Sequence, residues 1–93
     1  SEEIEQINEN TFIMDGMIRL YEVEDAIGVE ITDEDLDTLG GFIIDELGYI
    51  PEKREKPSIE YGNIEFTVLE MDKKRIKKVK VRLKENEKKE GDE

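Results

Sequence analysis

The stretch from Asp37 to Pro51 constrains the fold more than any other part of the chain, because it predicts one helix with a buried face and a defined end. Its apolar positions follow the i, i+3, i+4, i+7 spacing of a single helical face. The positions on that face are Leu36, Leu39, Gly40, Ile43, Ile44 and Leu47. Gly48 is placed to end the helix in a left-handed turn, and Pro51 prevents the helix from continuing.

The start of this helix is predicted a few residues upstream. Thr32, with Asp35 three residues later, resembles a capping box, and the acidic residues at positions 33 to 37 suit the positive end of a helix. Each of the two adjacent glycines, Gly40 and Gly41, weakens a helix by about 1 kcal/mol relative to alanine. We therefore expect Gly40 to permit a close contact with another element. A marginal amphipathic helix without such a contact is the alternative.

Length and composition limit what the chain can do. Its 93 residues suffice for one domain with a modest core. The sequence has no cysteine and no histidine, which excludes disulfides, thiolate zinc sites, thiol catalysis and the usual general base near neutral pH. No apolar run approaches the roughly 20 residues of a membrane span. We therefore predict a soluble, non-catalytic domain, and the first residue, Ser1, suggests a piece of a larger protein.

The net charge of −12 is spread unevenly along the chain. Residues 1 to 52 hold 16 acidic residues and one basic residue, Arg19, whereas residues 53 to 93 carry a net charge of +3. The acidic half would repel nucleic acid, so no nucleic-acid partner is expected. Self-association through the acidic face of one copy and the basic face of another is one interpretation. The other is that both faces are simply solvated.

The first apolar run covers residues 11 to 14, and a short helix is predicted over residues 22 to 27. Short segments in which apolar and polar residues alternate follow later in the chain. Gly62-Asn63 is a hairpin signal between two alternating strands, and a third strand runs to Leu83. The alternation changes parity near Leu69, which predicts either a bulge or a strand covered on both faces near its end, and it changes again near Lys77, which predicts a bulge.

These elements predict an α+β domain in which one or two short N-terminal strands and two helices pack on a three-stranded antiparallel meander. The domain is expected over residues 10–84. The polar residues 1–9 and the charged residues 85–93 are expected to be disordered flanks.

Four motifs in this order resemble the CorC/HlyC transporter-associated domain, also called the hemolysin C-terminal domain. They are Asp37-Thr38-Leu39-Gly40-Gly41, Leu47-Gly48-Tyr49-Ile50-Pro51, Phe66-Thr67-Val68, and the run of Arg75-Ile76, Val79 and Val81. Met14-Asp15-Gly16 also resembles the first strand and turn of that family. The resemblance covers the chain from about Phe12 to Leu83.

The resemblance implies a position at the C-terminus of bacterial membrane proteins, after a transmembrane domain and a pair of CBS domains. It implies a domain on the cytoplasmic side of the inner membrane that modulates magnesium or cobalt transport. Neighbouring CBS and transmembrane domains would then be its partners. The fold is also similar to a subdomain of FAD-binding flavoenzymes, but the chain has no Gly-x-Gly-x-x-Gly motif, so FAD is suggested by fold analogy alone.

Candidate metal ligands are Asp33, Asp35 and Asp37, which cluster before and within the first turn of the predicted main helix and carry the oxygen ligands that Ca²⁺ and Mg²⁺ prefer. An EF-hand is excluded, because counting from Asp35 places Leu39 and Ile43 at ligand positions. Helix capping by these acids is the alternative to a weak divalent site. No cofactor is firmly expected.

The basic run from Lys73 to Lys84 is expected on the solvated face of an edge or near-edge strand. Phosphate, nucleic acid or lipid headgroups are the alternative ligands for this run, although no aromatic residues interleave to stack on bases.

Overall fold

The computed structural model describes residues 3–31 and 36–84, which form one five-stranded antiparallel sheet with two helices on one face. The strands are β1 (Ile4–Asn8), β2 (Thr11–Asp15), β3 (Ser58–Tyr61), β4 (Ile64–Asp72) and β5 (Arg75–Leu83). The helices are α1 (Leu20–Ile27) and α2 (Leu39–Leu47). The strand order is β1-β2-β5-β4-β3, so the last strand of the chain lies at the centre of the sheet. The predicted α+β class, with two helices on an antiparallel meander, is confirmed.

Alternation along the strands sends apolar side chains to the face that the helices cover. In one row across the sheet, Phe12 lies opposite Val81, and Val81 lies opposite Phe66. All three side chains are buried, and they join buried residues of both helices in one core. Phe42 of α2 packs edge-on against Phe66, with ring centroids 5.6 Å apart. Phe42 was absent from the predicted buried face, although it follows Leu39 at the i+3 spacing of a helix.

The predicted bulges are present where the two parities change. Val68 pairs with Val79, Glu70 pairs with Lys78, and Met71 pairs with Ile76, so the register shifts on both sides of Glu70. The two shifts return Met71 and Ile76 to the core face, where both are buried. The β4–β5 hairpin is therefore bent without losing its apolar face.

Helix α2 begins later than the sequence predicted. Its N-cap is Thr38, whose Oγ1 accepts a hydrogen bond from the amide of Gly41 at 3.1 Å. Leu36 and Asp37 precede the helix, and Thr38 forms an isolated bridge with Arg19, which holds this segment extended. The predicted Thr32 cap lies outside the described residues. Gly48 ends the helix in a left-handed conformation, as expected.

The expectation that residues 1–9 form a disordered flank is wrong for Ile4–Asn8, which form strand β1. Ile4 pairs with Met14 and Gln6 pairs with Phe12 in an antiparallel ladder. Most of its side chains are exposed, so the strand is held by main-chain hydrogen bonds that a polar sequence can make as well as an apolar one. The second flank, residues 85–93, lies outside the described residues.

The close contact expected at Gly40 is confirmed. The amide of Gly40 donates to the carbonyl oxygen of Gly16 at 2.8 Å, and a Cβ at Gly40 would lie 3.0 Å from that oxygen and 3.4 Å from the Cβ of Ile76. Gly16 is tighter still, because a Cβ there would collide with the carbonyl group of Ile76. Gly41 is less crowded, since its Cβ would meet only the Thr38 hydroxyl at 3.2 Å.

The loop after α2 is closed by a side-chain hydrogen bond. The Tyr49 hydroxyl donates to Glu55 Oε2 at 2.5 Å, and the amide of Glu52 donates to Glu55 Oε1 at 3.1 Å. The Tyr49 bond, followed by the Glu52 bond, lowers the pKa of Glu55. The same hydrogen bond to Glu55, aided by burial and the carboxylate charge, raises the pKa of Tyr49.

The contact at Gly40 predicts that two neighbouring glycines respond differently to the same substitution. Gly40→Leu should lower the free energy of unfolding by about 2–3 kcal/mol, because the side chain forces α2 away from Gly16 and Ile76. Gly41→Leu should cost less than about 1 kcal/mol, since its position is half-exposed and leucine favours helix. Urea denaturation of both variants measures the difference. Equal midpoints would contradict the packing at Gly40.

The Tyr49–Glu55 bond predicts that Tyr49→Phe raises the pKa of Glu55 toward its ordinary value. Because the folded-state pKa of Glu55 is lowered, the stabilisation is present above its unfolded pKa and is lost as pH falls through the folded pKa. Side-chain carboxyl NMR shifts measured against pH provide the test. Tyr21→Phe, a change in α1, should leave the Glu55 titration unchanged, and an unmoved midpoint in Tyr49→Phe would disprove the hydrogen bond.

Candidate interaction surfaces

The predicted metal ligands fall at the edge of what the structure describes. Asp33 and Asp35 lie outside the described residues, so their side chains have no described geometry. Asp37 precedes the N-cap of α2 with its side chain 80% exposed, and its Oδ2 lies 3.6 Å from Nη1 of Arg19. Within residues 3–31 and 36–84, no group of three or more acidic residues is arranged to hold a metal ion. The divalent site at these three residues stays a prediction.

The N-terminus of α2 has no free amide with which to bind a phosphate. The amide of Leu39 donates to Ile18 O at 2.9 Å, and that of Gly40 donates to Gly16 O at 2.8 Å. The next two amides, of Gly41 and Phe42, both donate to Thr38, one to its hydroxyl and one to its carbonyl oxygen. Anion sites at helix starts depend on amides that lack such partners. These amides are therefore all used within the fold, and Gly40 serves packing at this end of the helix.

The basic run lies on β5, at the centre of the sheet rather than at an edge. The reason is that β2 pairs with the outer side of β5, which the alternation pattern alone does not reveal. Three of its eight basic residues face carboxylates of β3 or β4. They are Arg82 with Glu65 at 3.0 Å, Lys84 with Glu60 at 2.9 Å, and Lys77 with Glu70 at 3.7 Å. Part of this charge is therefore compensated within the sheet.

The hydroxyl groups of Thr38 and Ser58 are chemically able to act as nucleophiles, but both have structural partners. Thr38 caps α2, and the Ser58 hydroxyl lies 2.7 Å from the Thr67 hydroxyl on the exposed face of the sheet. Tyr61 packs edge-on against Phe42, with ring centroids 5.3 Å apart. In the described part of the chain, every buried residue is either apolar, a glycine or a proline. The arrangement therefore suits contact with partners at the surface.

A groove between β1 and α1 is the surface feature that sequence reasoning missed. It has a volume of about 400 Å³ and is lined by Glu3, Ile4, Ile18, Glu22, Asp25 and Ala26. Its strand side comes from residues that the sequence assigned to a disordered flank. The only signal for β1 was the isolated pair of apolar residues, Ile4 and Ile7, in an otherwise polar segment.

Neither α1, with 8 residues, nor α2, with 9 residues, has the length that crossing a bilayer requires. These are the helices of the described ranges.

Comparison with known proteins gives the same family by sequence and by structure. The family model of the transporter associated domain, CorC_HlyC, matches residues 5–85. The magnesium and cobalt efflux protein CorC of Salmonella typhimurium is 30% identical over 78 residues, which is 84% of this chain and 26% of that protein. The chain thus spans about a quarter of the length of this curated relative.

The solved structures that share the fold include the following two. A hemolysin domain from Enterococcus faecalis V583 is 31% identical with a TM-score of 0.86, over 90% of this chain and all (100%) of that one. The transporter associated domain CorC_HlyC of a Xylella fastidiosa hemolysin, in complex with Mg²⁺ and Mn²⁺, is 21% identical with a TM-score of 0.76 over the same shares. At that identity the second likeness shows the fold alone.

The close packing of α2 on Gly16, the bulged β4–β5 hairpin and these matches lead to one assignment. The chain belongs to the CorC_HlyC transporter-associated domain family.

Proposed function

We propose that this domain is a non-catalytic regulatory and assembly module of a membrane protein that transports magnesium, cobalt or a similar divalent cation. The observation that carries the proposal is the contrast between its interior and its surface. The interior of the described part is an apolar core, whereas the carboxylates and ammonium groups lie at the surface. Such an arrangement acts by binding, because buried groups with altered acidity are what acid–base catalysis requires.

The name of the Salmonella relative, a magnesium and cobalt efflux protein, supports the class of transported ion. The proposed partners are CBS and transmembrane domains of the same transport protein, with this domain on the cytoplasmic side of the membrane. Self-association through the acidic and basic faces remains a second proposed contact. The carboxylates that already face Arg82, Lys84 and Lys77 compete with it.

The proposal predicts that the domain changes ion export without being needed for the chemistry of transport. Deleting residues 3–84 from the full-length transport protein should change cobalt efflux by about fivefold or more, the lower range of typical coupling between sites. Efflux from loaded cells, normalised to the amount of protein in the membrane, measures the change.

The two glycine variants serve as matched controls for that deletion. Gly40→Leu loosens the fold and should reproduce the effect of the deletion, whereas Gly41→Leu retains the fold and should not. Unchanged efflux after deletion would contradict a regulatory role.

A weak divalent-cation site at Asp33, Asp35 and Asp37 is the second candidate function. The Mg²⁺ and Mn²⁺ complex of the Xylella hemolysin domain and the exposure of Asp37 favour it. The same carboxylates would also act as an electrostatic extension of the helix start, which is the competing explanation. FAD binding has no support beyond the fold analogy.

Titration with Mg²⁺ or Ca²⁺ tests the divalent site. A site of this kind should bind at about 10⁻⁴–10⁻³ M and shift the amide NMR signals of residues 33 to 37. Asp35→Asn should abolish the shifts, whereas Asp45→Asn, an equal loss of charge on α2, should leave them in place. If millimolar Ca²⁺ moves none of these signals, the site does not exist.

A further inference from the structure

The groove between β1 and α1 combines an apolar floor with an acidic rim. Ile4 comes from β1, Ile18 from the turn before α1, and Ala26 from the last turn of α1. Glu22, Asp25 and Ala26 share one face of the helix because they are spaced by three and four residues. Ala26 is exposed, and its small side chain leaves the floor open.

The carboxylates of the rim form no ion pair in the described part of the chain, and Glu22 Oε1 accepts a hydrogen bond from the amide of Arg19 at 3.4 Å. Among the described residues, the four ion pairs within 4.0 Å involve other acids, and none includes Glu3, Glu22 or Asp25. The whole chain carries a net charge of −12, so the field around the groove attracts cations. The rim and the overall charge therefore favour the same kind of partner.

The adjacent strand edge adds a second means of binding. β1 is the outermost strand of the sheet, so one side of its backbone faces no other described strand. Ile7 on this strand is 52% exposed. A segment that runs along this edge beside the groove can therefore also form main-chain hydrogen bonds with β1, and only its side chains on the α1 side of the sheet reach the groove.

We propose that this groove binds a lysine- or arginine-rich segment that carries apolar side chains, of the kind found at the cytoplasmic ends of transmembrane helices. Cytoplasmic loops of membrane proteins carry an excess of lysine and arginine. Apolar side chains of the segment occupy the floor over Ile4 and Ala26, and its cations face Glu22 and Asp25. The source of the segment rests on the proposed function, whereas the chemistry of the groove does not.

Binding of a fluorescent peptide of repeated Lys-Lys-Leu-Leu units, which places both residue types on each face of an extended chain, to the intact 93-residue chain tests the proposal. Fluorescence anisotropy should show binding at low ionic strength, where the Debye length is about 30 Å, and weaker binding at physiological salt. Replacing the leucines with serine should abolish binding if the apolar floor contributes. A peptide that binds equally well with serine would overturn the role of the floor.

The matched variants are Asp25→Lys and Asp45→Lys. Both aspartates are exposed, occupy the third position from the end of their helices, and change the net charge equally. Asp25→Lys should weaken peptide binding about tenfold, since an attraction becomes a repulsion within the groove. Asp45→Lys should weaken it less than about twofold. Urea midpoints of both variants verify that each is folded.

A third variant, Ala26→Leu, fills the floor without changing the charge and should weaken binding of the leucine peptide. Equal losses in Asp25→Lys and Asp45→Lys would show that net charge alone attracts the peptide, and they would overturn the groove as a site. No binding at low salt would overturn it as well. Neither result would affect the proposed role in transport, which the efflux measurement tests separately.

Discussion

The fold depends on the close approach of three main-chain segments at Gly16. The amide of Gly16 donates to the carbonyl of Lys77 at 2.9 Å, and its own carbonyl accepts from Gly40 at 2.8 Å. One residue thus joins the end of β2 to β5 on one side and to the first turn of α2 on the other. A side chain at Gly16 would occupy the position of the Ile76 carbonyl, so the junction requires glycine there. Because the first amides of α2 are hydrogen-bonded to Ile18 and Gly16, main-chain contacts as well as side-chain packing fix the orientation of the helix on the sheet.

Local signals in the sequence predicted the features that local chemistry decides. Gly48 ends α2 because glycine adopts the left-handed conformation easily, and the bulges of the β4–β5 hairpin follow from changes in parity. The start of α2 was misplaced because Thr32 and Thr38 both qualify as caps. The bridge between Thr38 and Arg19, which is a tertiary contact, decides between them for the described residues. The pairing of β2 with β5 was also not predicted, since residues about seventy positions apart leave no periodic signal.

The candidate surfaces were harder to predict than the fold. The absence of histidine and cysteine favours binding over catalysis as a prediction, but composition does not say which face binds. The floor of the groove is formed by Ile4 of β1 on one side and Ala26 of α1 on the other, and neither residue is unusual by itself. Ala26 is an apolar residue spaced three positions after Val23, yet it is exposed, whereas Leu20, Val23 and Ile27 are the buried residues of α1. The exposed Ala26 can be recognised as part of the groove floor only when β1 is known to lie beside α1.

The distribution of charge in three dimensions explains why the acidic side of the molecule is the better candidate for binding. The sequence suggests two opposing faces, one acidic and one basic. In the structure, cations of β5 lie beside acids of β3 and β4, as in the 3.0 Å pair of Arg82 with Glu65. These pairs are half-exposed and each contributes little to stability, but they reduce the charge that β5 presents to a partner. Glu3, Glu22 and Asp25 have no such neighbours among the described residues. A partner that brings cations to the groove can therefore gain attraction there without first displacing an internal ion pair.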